Sequence, residues 1–115
     1  MAEETIDFVT VCAVEDLPYG HKMRVEVDGR GVVIAYVYDK YWAFEDRCPH
    51  QGLPMYNCFF TAGDVVCGWH GAAFDLNTGS ERGGPEDGDL ETFAIRIEGA
   101  DLQVERRPKA EAVRP

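Results

Sequence analysis

Two short segments constrain this chain more than anything else in it. Cys48-Pro49-His50 and Cys67-Gly68-Trp69-His70 each place one thiol and one imidazole within a single turn of chain, with sixteen residues between His50 and Cys67. Two soft sulfur donors and two borderline nitrogen donors can surround a compact metal centre. A lone Cys or His is more often a core residue than a ligand. Two Cys/His pairs within 23 residues, using two of the three His in the chain, are hard to explain as packing. Four Cys in 115 residues are too few for a disulfide scaffold.

Around these segments the hydrophobic pattern has period two. Met23, Val25 and Val27 alternate with Arg24 and Glu26, Asp28-Gly29-Arg30-Gly31 signals a turn, and an apolar run follows from Val32 to Tyr38. Asp39-Lys40 turns the chain into Tyr41-Trp42-Ala43-Phe44, completing a β-meander. Later, Phe93, Ile95 and Ile97 alternate with polar neighbours, Gly99-Ala100-Asp101 forms a hairpin loop, and Leu102-Gln103-Val104 returns. No amphipathic stretch of normal helical length is present, so the expected class is all-β: an antiparallel sandwich or barrel-like domain. Residues 45–80 interrupt the meander with Cys, His, Pro and Gly, and hold only the short strand candidates Phe59-Phe60 and Asp64-Val65-Val66. A long irregular stretch inside a compact domain is functional or disordered, and its aromatic content argues for function. One domain over 1–105 is expected, with 45–80 as an inserted subdomain, Glu81–Asp89 as a surface loop and 106–115 as a mobile tail.

Charge narrows the partners. The chain has 11 basic and 21 acidic residues, a net charge of -10, and the excess lies in residues 1–105, with 7 basic against 20 acidic. Nucleic acid and anionic membrane surfaces are excluded as partners, because both need clustered cations. A basic docking patch on a protein partner is compatible with such a field, although the charge also serves solubility alone. The acidic start, Met1-Ala2-Glu3-Glu4, is unlike a secretory signal, and no apolar run is long enough to span a bilayer. The expected setting is the reducing cytoplasm.

The donor set fits two kinds of metal centre. Cys2His2 is a familiar zinc set, but zinc fingers group Cys with Cys and His with His, with the second pair on a helix. Here each half is mixed and lies in a loop between strands. A mixed pair in each half suits a two-iron centre in which one iron takes both thiolates and the other both imidazoles.

These segments resemble the Rieske family, whose pattern is C-x-H, a spacer of about this length, and C-x-x-H. Cys48-Pro49-His50-Gln51-Gly52-Leu53 is similar to the first cluster loop. Cys67 to Asp75, followed by Thr78-Gly79, is similar to the second. The resemblance covers nearly the whole chain, with the meander and final hairpin as the basal domain and 45–80 as the two-loop cluster-binding subdomain. It implies one [2Fe-2S] cluster, with Cys48 and Cys67 on one iron and His50 and His70 on the other. Gly68 replaces the usual Pro after the second Cys. Two ferric ions, two sulfides and two thiolates sum to zero formal charge, so adding an electron is easier than in an all-thiolate dianion. With every ligand position taken, such a centre relays electrons and binds no small-molecule substrate.

Departures from the pattern give the subtype. High-potential members carry a loop disulfide and hydroxyl donors where this chain has Leu53, Trp69, Ala72 and Phe74. Their absence implies a potential toward the lower end of the roughly -150 to +300 mV Rieske range. No catalytic iron domain is expected, and the second loop lacks the Trp that follows His-Gly in oxygenase subunits. The resemblance therefore implies a soluble ferredoxin of an aromatic-ring dioxygenase system, not itself an enzyme. It would make transient contacts with a flavin-containing ferredoxin reductase and a terminal Rieske oxygenase. A Rieske-like subunit of a nitrite reductase and a structural zinc module are the competing readings. The docking face implied is the tip around His50 and His70, with Gln51, Gly52, Leu53 and Gly71. Cys58 and Cys12 read as small packed residues, a disulfide between them being the alternative, and His21 as a surface turn residue. Trp42, Phe44, Phe59, Phe60 and Phe74 read as packing.

Overall fold

The computed structural model describes residues 7–49, 54–68, 72–82 and 89–108. Among the described residues nine antiparallel strands follow in chain order: β1 Phe8–Ala13, β2 Lys22–Val27, β3 Arg30–Val37, β4 Lys40–Glu45, β5 Phe59–Thr61, β6 Asp64–Val66, β7 Ala73–Asp75, β8 Thr92–Glu98 and β9 Asp101–Pro108. They form a six-stranded sheet in the order β1-β9-β8-β4-β3-β2 and a three-stranded sheet in the order β5-β6-β7. The edge strands β1 and β2 touch, so the large sheet curls toward a barrel. The only helical elements among the described residues are two single 3-10 turns, Val14–Asp16 and Met55–Asn57. The all-β expectation holds, with the small sheet inserted between β4 and β8.

The apolar run in β3 has a direct cause. Val32 and Ile34 face a core inside the curled sheet, with Leu17, Val27, Ala43, Phe93, Leu102 and Val104. Val33 faces the other way, into a second core shared with the small sheet, and Phe44 of β4 joins it there. Strands covered on both faces lose the alternation of half-buried strands and read as unbroken hydrophobic runs. The second core also contains Cys48, Met55, Cys58, Val65, Cys67, Phe74, Leu76 and Leu90, so it takes in the cysteine of each Cys/His segment.

Turn chemistry sets the register. Asp28 and Gly29, both at positive φ, close the β2–β3 hairpin as a two-residue turn of the primed kind. The β3–β4 turn is Tyr38-Asp39, one residue earlier than the sequence suggests, with φ of 52° and 61°. A tyrosine in the left-handed region carries a steric cost, offset here by tertiary contacts. Its ring packs on the second core and lies 6.5 Å edge-on from Phe60, and its hydroxyl donates to the Asp64 carbonyl at 3.2 Å. That bond ties the meander to the first residue of β6.

Two boundaries differ from expectation. β7 forms within the segment read as loop, because Val65 and Phe74 pair directly and both are fully buried. The final strand continues beyond 105 to Pro108 instead of giving way to a tail. The Arg106 N–H donates to Asp7 O at 3.0 Å, and its guanidinium pairs with Asp7 and Asp28. Residues 109–115 lie outside the described residues, as do 83–88 of the expected surface loop; of that loop, Glu81 bridges to Phe74.

Because the first core lies away from the Cys segments, Phe93→Ala is expected to cost about 3–5 kcal/mol in urea unfolding while leaving metal content per folded molecule unchanged. A loss under about 1 kcal/mol would contradict the packing described.

Candidate metal centre

Cys48 and Cys67 arrive from different elements. Cys48 follows β4 by three residues, in the connection that crosses from the large sheet to the 3-10 turn Met55–Asn57. Cys67 directly follows β6, in the loop joining β6 to β7. That loop is shut at its base, where the Cys67 N–H donates to Ala72 O at 2.8 Å. Both cysteines have 0% of their surface exposed, and both belong to the second core. The fold therefore places both thiols in one core. His50, His70 and the tip residues Gln51, Gly52, Leu53, Trp69 and Gly71 lie outside the described residues. Among the described residues, no group of three or more His, Cys, Asp or Glu gathers as a metal site.

The two loops rest on each other through Gly68. A Cβ at this position would run into the carbonyl oxygen of Asn57, with the carbonyl carbon 3.2 Å away. The glycine that stands in place of the expected proline is thus a close-approach position, where the second loop lies flat on the 3-10 turn that ends the first. A side chain of any kind would hold the loops apart.

β6 and β7 are braced from outside by Arg82. Its Nε donates to both Asp64 carboxylate oxygens, at 3.0 and 2.9 Å, and its Nη2 lies 3.1 Å from Asp75 Oδ2. Its backbone N–H donates to Ala73 O at 2.9 Å. Phe74 is fully buried and Ala72 packs against the same core, so neither position offers a hydroxyl.

The remaining cysteines behave as packing residues. Cys58 is buried in the core, and burial pushes its thiol up to about 12. Cys12 lies in β1, against the other core, with its thiol raised by burial and then by Asp16 and Asp101. None of the four cysteines forms a disulfide. His21 is exposed in the turn after Gly20, as expected. Phe44, Phe60, Phe74 and Trp42 pack on the second core, whereas Phe59 is 54% exposed on the edge strand β5 and is no core residue. One support escaped the sequence reading: the Asn57 carbonyl, a backbone group with no residue-type signal.

The donor chemistry fits an iron-sulfur group. A buried thiolate is tolerable only beside compensating positive charge, which a coordinated metal supplies. Cys48 and Cys67 bring two such sulfurs to one dry region from separate loops.

Comparisons with known proteins agree. The family model described as "Rieske [2Fe-2S] domain" matches residues 7–94. The chain is 33% identical over 112 residues to apoptosis-inducing factor 3 of Mus musculus, covering 90% of this chain but only 18% of that protein. It is 32% identical over 99 residues to the biphenyl dioxygenase ferredoxin subunit of Pseudomonas sp. (strain KKS102), covering 85% of this chain and 91% of the relative. The structure superposes with a TM-score of 0.78, at 25% identity, on a chain in the complex of reduced oxygenase and oxidized ferredoxin in carbazole 1,9a-dioxygenase. That match covers 91% of this chain and 98% of the other.

Gly68→Ala is expected to destabilise the folded protein by about 1–3 kcal/mol and to lower metal retention, read by thermal melting and iron analysis. Unchanged values would contradict the loop contact. For Cys58, a thiol pKa raised on folding stabilises the fold fully below the unfolded value of 9.0 and ceases to do so as pH rises towards about 12. Wild-type protein should therefore lose stability between those pH values more steeply than Cys58→Ala, which should keep its iron. Parallel alkaline profiles, or iron-free Cys58→Ala protein, would be inconsistent with an inert buried thiol.

Proposed function

The chain belongs to the Rieske [2Fe-2S] domain family, and on that premise we propose that it is a one-electron carrier, a ferredoxin taking electrons from a flavin-containing ferredoxin reductase to a terminal oxygenase of aromatic compounds. The observation that carries this reading is the burial of Cys48 and Cys67 in one apolar core from two separate loops. Cys48 and Cys67 would hold one iron and His50 and His70 the other. When bound, such a cluster accepts and releases a single electron. Four protein ligands leave no coordination position for a substrate, so the chain transfers electrons without bond chemistry of its own.

The protein's contribution is to exclude water and to set the field. Phe44, Met55, Val65 and Phe74 close the core around the thiols. The absence of hydroxyl donors at Ala72 and Phe74 leaves an added electron less stabilised, which supports a low potential for the family. Three of the seven cations in residues 1–105 pair with carboxylates of the same body, Arg24 with Asp46, Arg30 with Glu91, and Arg82 with Asp64 and Asp75, and 20 acidic residues outnumber all seven. The outward field is therefore acidic, and it suits a redox partner with a basic docking patch.

Two names support an oxygenase as recipient: the biphenyl dioxygenase ferredoxin subunit and the carbazole dioxygenase complex. The reductase follows from the need to re-reduce the carrier after each delivery. Among the described residues no helix is long and apolar enough to cross a membrane. Four cysteines with no disulfide support a reducing, cytoplasmic setting.

Purified native protein is expected to be red-brown, to bleach with dithionite, and to contain equal iron and acid-labile sulfide. Cys48→Ala is expected to be colourless and less stable, because metal binding couples to folding. A colourless wild type holding one zinc would overturn the reading. Electron delivery to a basic oxygenase should slow about tenfold as ionic strength rises from low to high values. A rate indifferent to salt would argue against steering by the acidic body.

A further inference from the structure

We propose that Asp46 is a positioning residue whose carboxylate clasps the first cluster loop shut and, through the 3-10 turn it holds, fixes the second loop as well. This rests on the cluster reading above and assigns the support that reading leaves open.

Asp46 is the first residue after β4 and stands two before Cys48. It is held in three directions. Its N–H donates to Gly31 O at 2.9 Å. Its Oδ2 accepts from Arg24 Nε at 2.7 Å, and its Oδ1 accepts from the Tyr56 N–H at 2.8 Å, ten residues further along the chain. The side chain is only 7% exposed.

The bond to Tyr56 joins the two ends of the segment 46–56, whose sequence contains Cys48 and His50. The first N–H groups of a helical turn have no partner within the turn. A neighbouring side chain usually caps them, but the cap position here is Pro54, which makes no side-chain cap bond. Asp46 takes over that task from the far end of the loop. Its carboxylate thus satisfies an orphan donor and ties the two ends of the segment together with one group.

The clasp extends to the second loop. Asn57 belongs to the same turn, and its carbonyl is the surface on which Gly68 rests, one residue after Cys67. Asp46 therefore fixes the turn, and the turn sets how closely the second loop approaches the first. Gly31 makes room at the other end: a Cβ there would lie 2.9 Å from the Arg24 guanidinium carbon. Arg24 is itself half-exposed, so its ion pair is screened by solvent. The bond to the Tyr56 amide, made to a main-chain group by a side chain that is itself little exposed, is the part that positions the loop.

Asparagine keeps an oxygen for the Tyr56 amide and discards the charge that Arg24 meets, whereas alanine discards both. The experiment measures iron release to a chelator from wild type, Asp46→Asn, Asp46→Ala and Arg24→Gln holoprotein. EPR spectra of the reduced protein are recorded in parallel. Asp46→Ala is expected to lose iron about tenfold faster, the lower end of what outer partners of metal ligands contribute, and to show shifted g values. Asp46→Asn and Arg24→Gln are expected to stay within about twofold of wild type with unchanged spectra. Hydrogen exchange on the wild type alone gives a second test, should the alanine variant not fold: the Tyr56 amide is expected to be protected. The clasp is overturned if Asp46→Ala holds iron like wild type, if Asn behaves like Ala, if Arg24→Gln matches Asp46→Ala, or if the Tyr56 amide exchanges freely. Iron and sulfide absent from the wild type would instead overturn the cluster reading, and the clasp with it.

Discussion

Three thiols share one dry core, and the cost of charging sulfur away from water governs what each can be. Cys58 shows the default: burial drives its thiol up to about 12, so it stays protonated and inert. Cys48 and Cys67 are buried still more completely. In the proposed role as ligands of one iron they would bind it as thiolates, and metal binding would be coupled to the fold. Under the proposed reading, the core that keeps Cys58 inert also encloses the two sulfurs offered to iron. The fold around them serves to bring two loops to this core and to keep water out.

The architecture supports that arrangement by covering β3 and β4 on both sides. One face closes the barrel-like sheet over Leu17, Phe93 and Leu102, and the other forms the floor beneath the thiols. The small sheet and the two cysteines are thus seated on a sheet covered on both faces. Tyr38 reaches across to the Asp64 carbonyl, and Arg82 joins Asp64 to Asp75. These contacts link the scaffold, the small sheet and the base of the second loop.

Much of this was legible in the residues because it is encoded by period and by residue type. Alternation from Met23 to Val27 and from Phe93 to Ile97 marks half-covered strands, and the Cys/His pairs mark the loops. The family resemblance added the cluster and the division of its ligands. What escaped had no local signature. β7 forms because Phe74 meets Val65 across a hairpin, within a segment whose composition is that of a loop. The β3–β4 turn shifts onto Tyr38 because of contacts to residues 22 and 26 positions away. β9 continues to Pro108, and Arg106 is held there by Asp7 and Asp28. Phe59 looks like its half-buried neighbour Phe60, and only strand pairing turns it outward. Asp46 resembles every other acidic residue until its partners are known.

The asymmetry of the ligands is the claim on which the function rests, and pulsed EPR of the dithionite-reduced native protein reads it directly. Couplings from two histidine nitrogens on a single iron, beside thiolate-bound sulfur on the other, are the predicted result. A reduced cluster with no nitrogen coupling, or a sample with no paramagnetic iron signal at all, would contradict it.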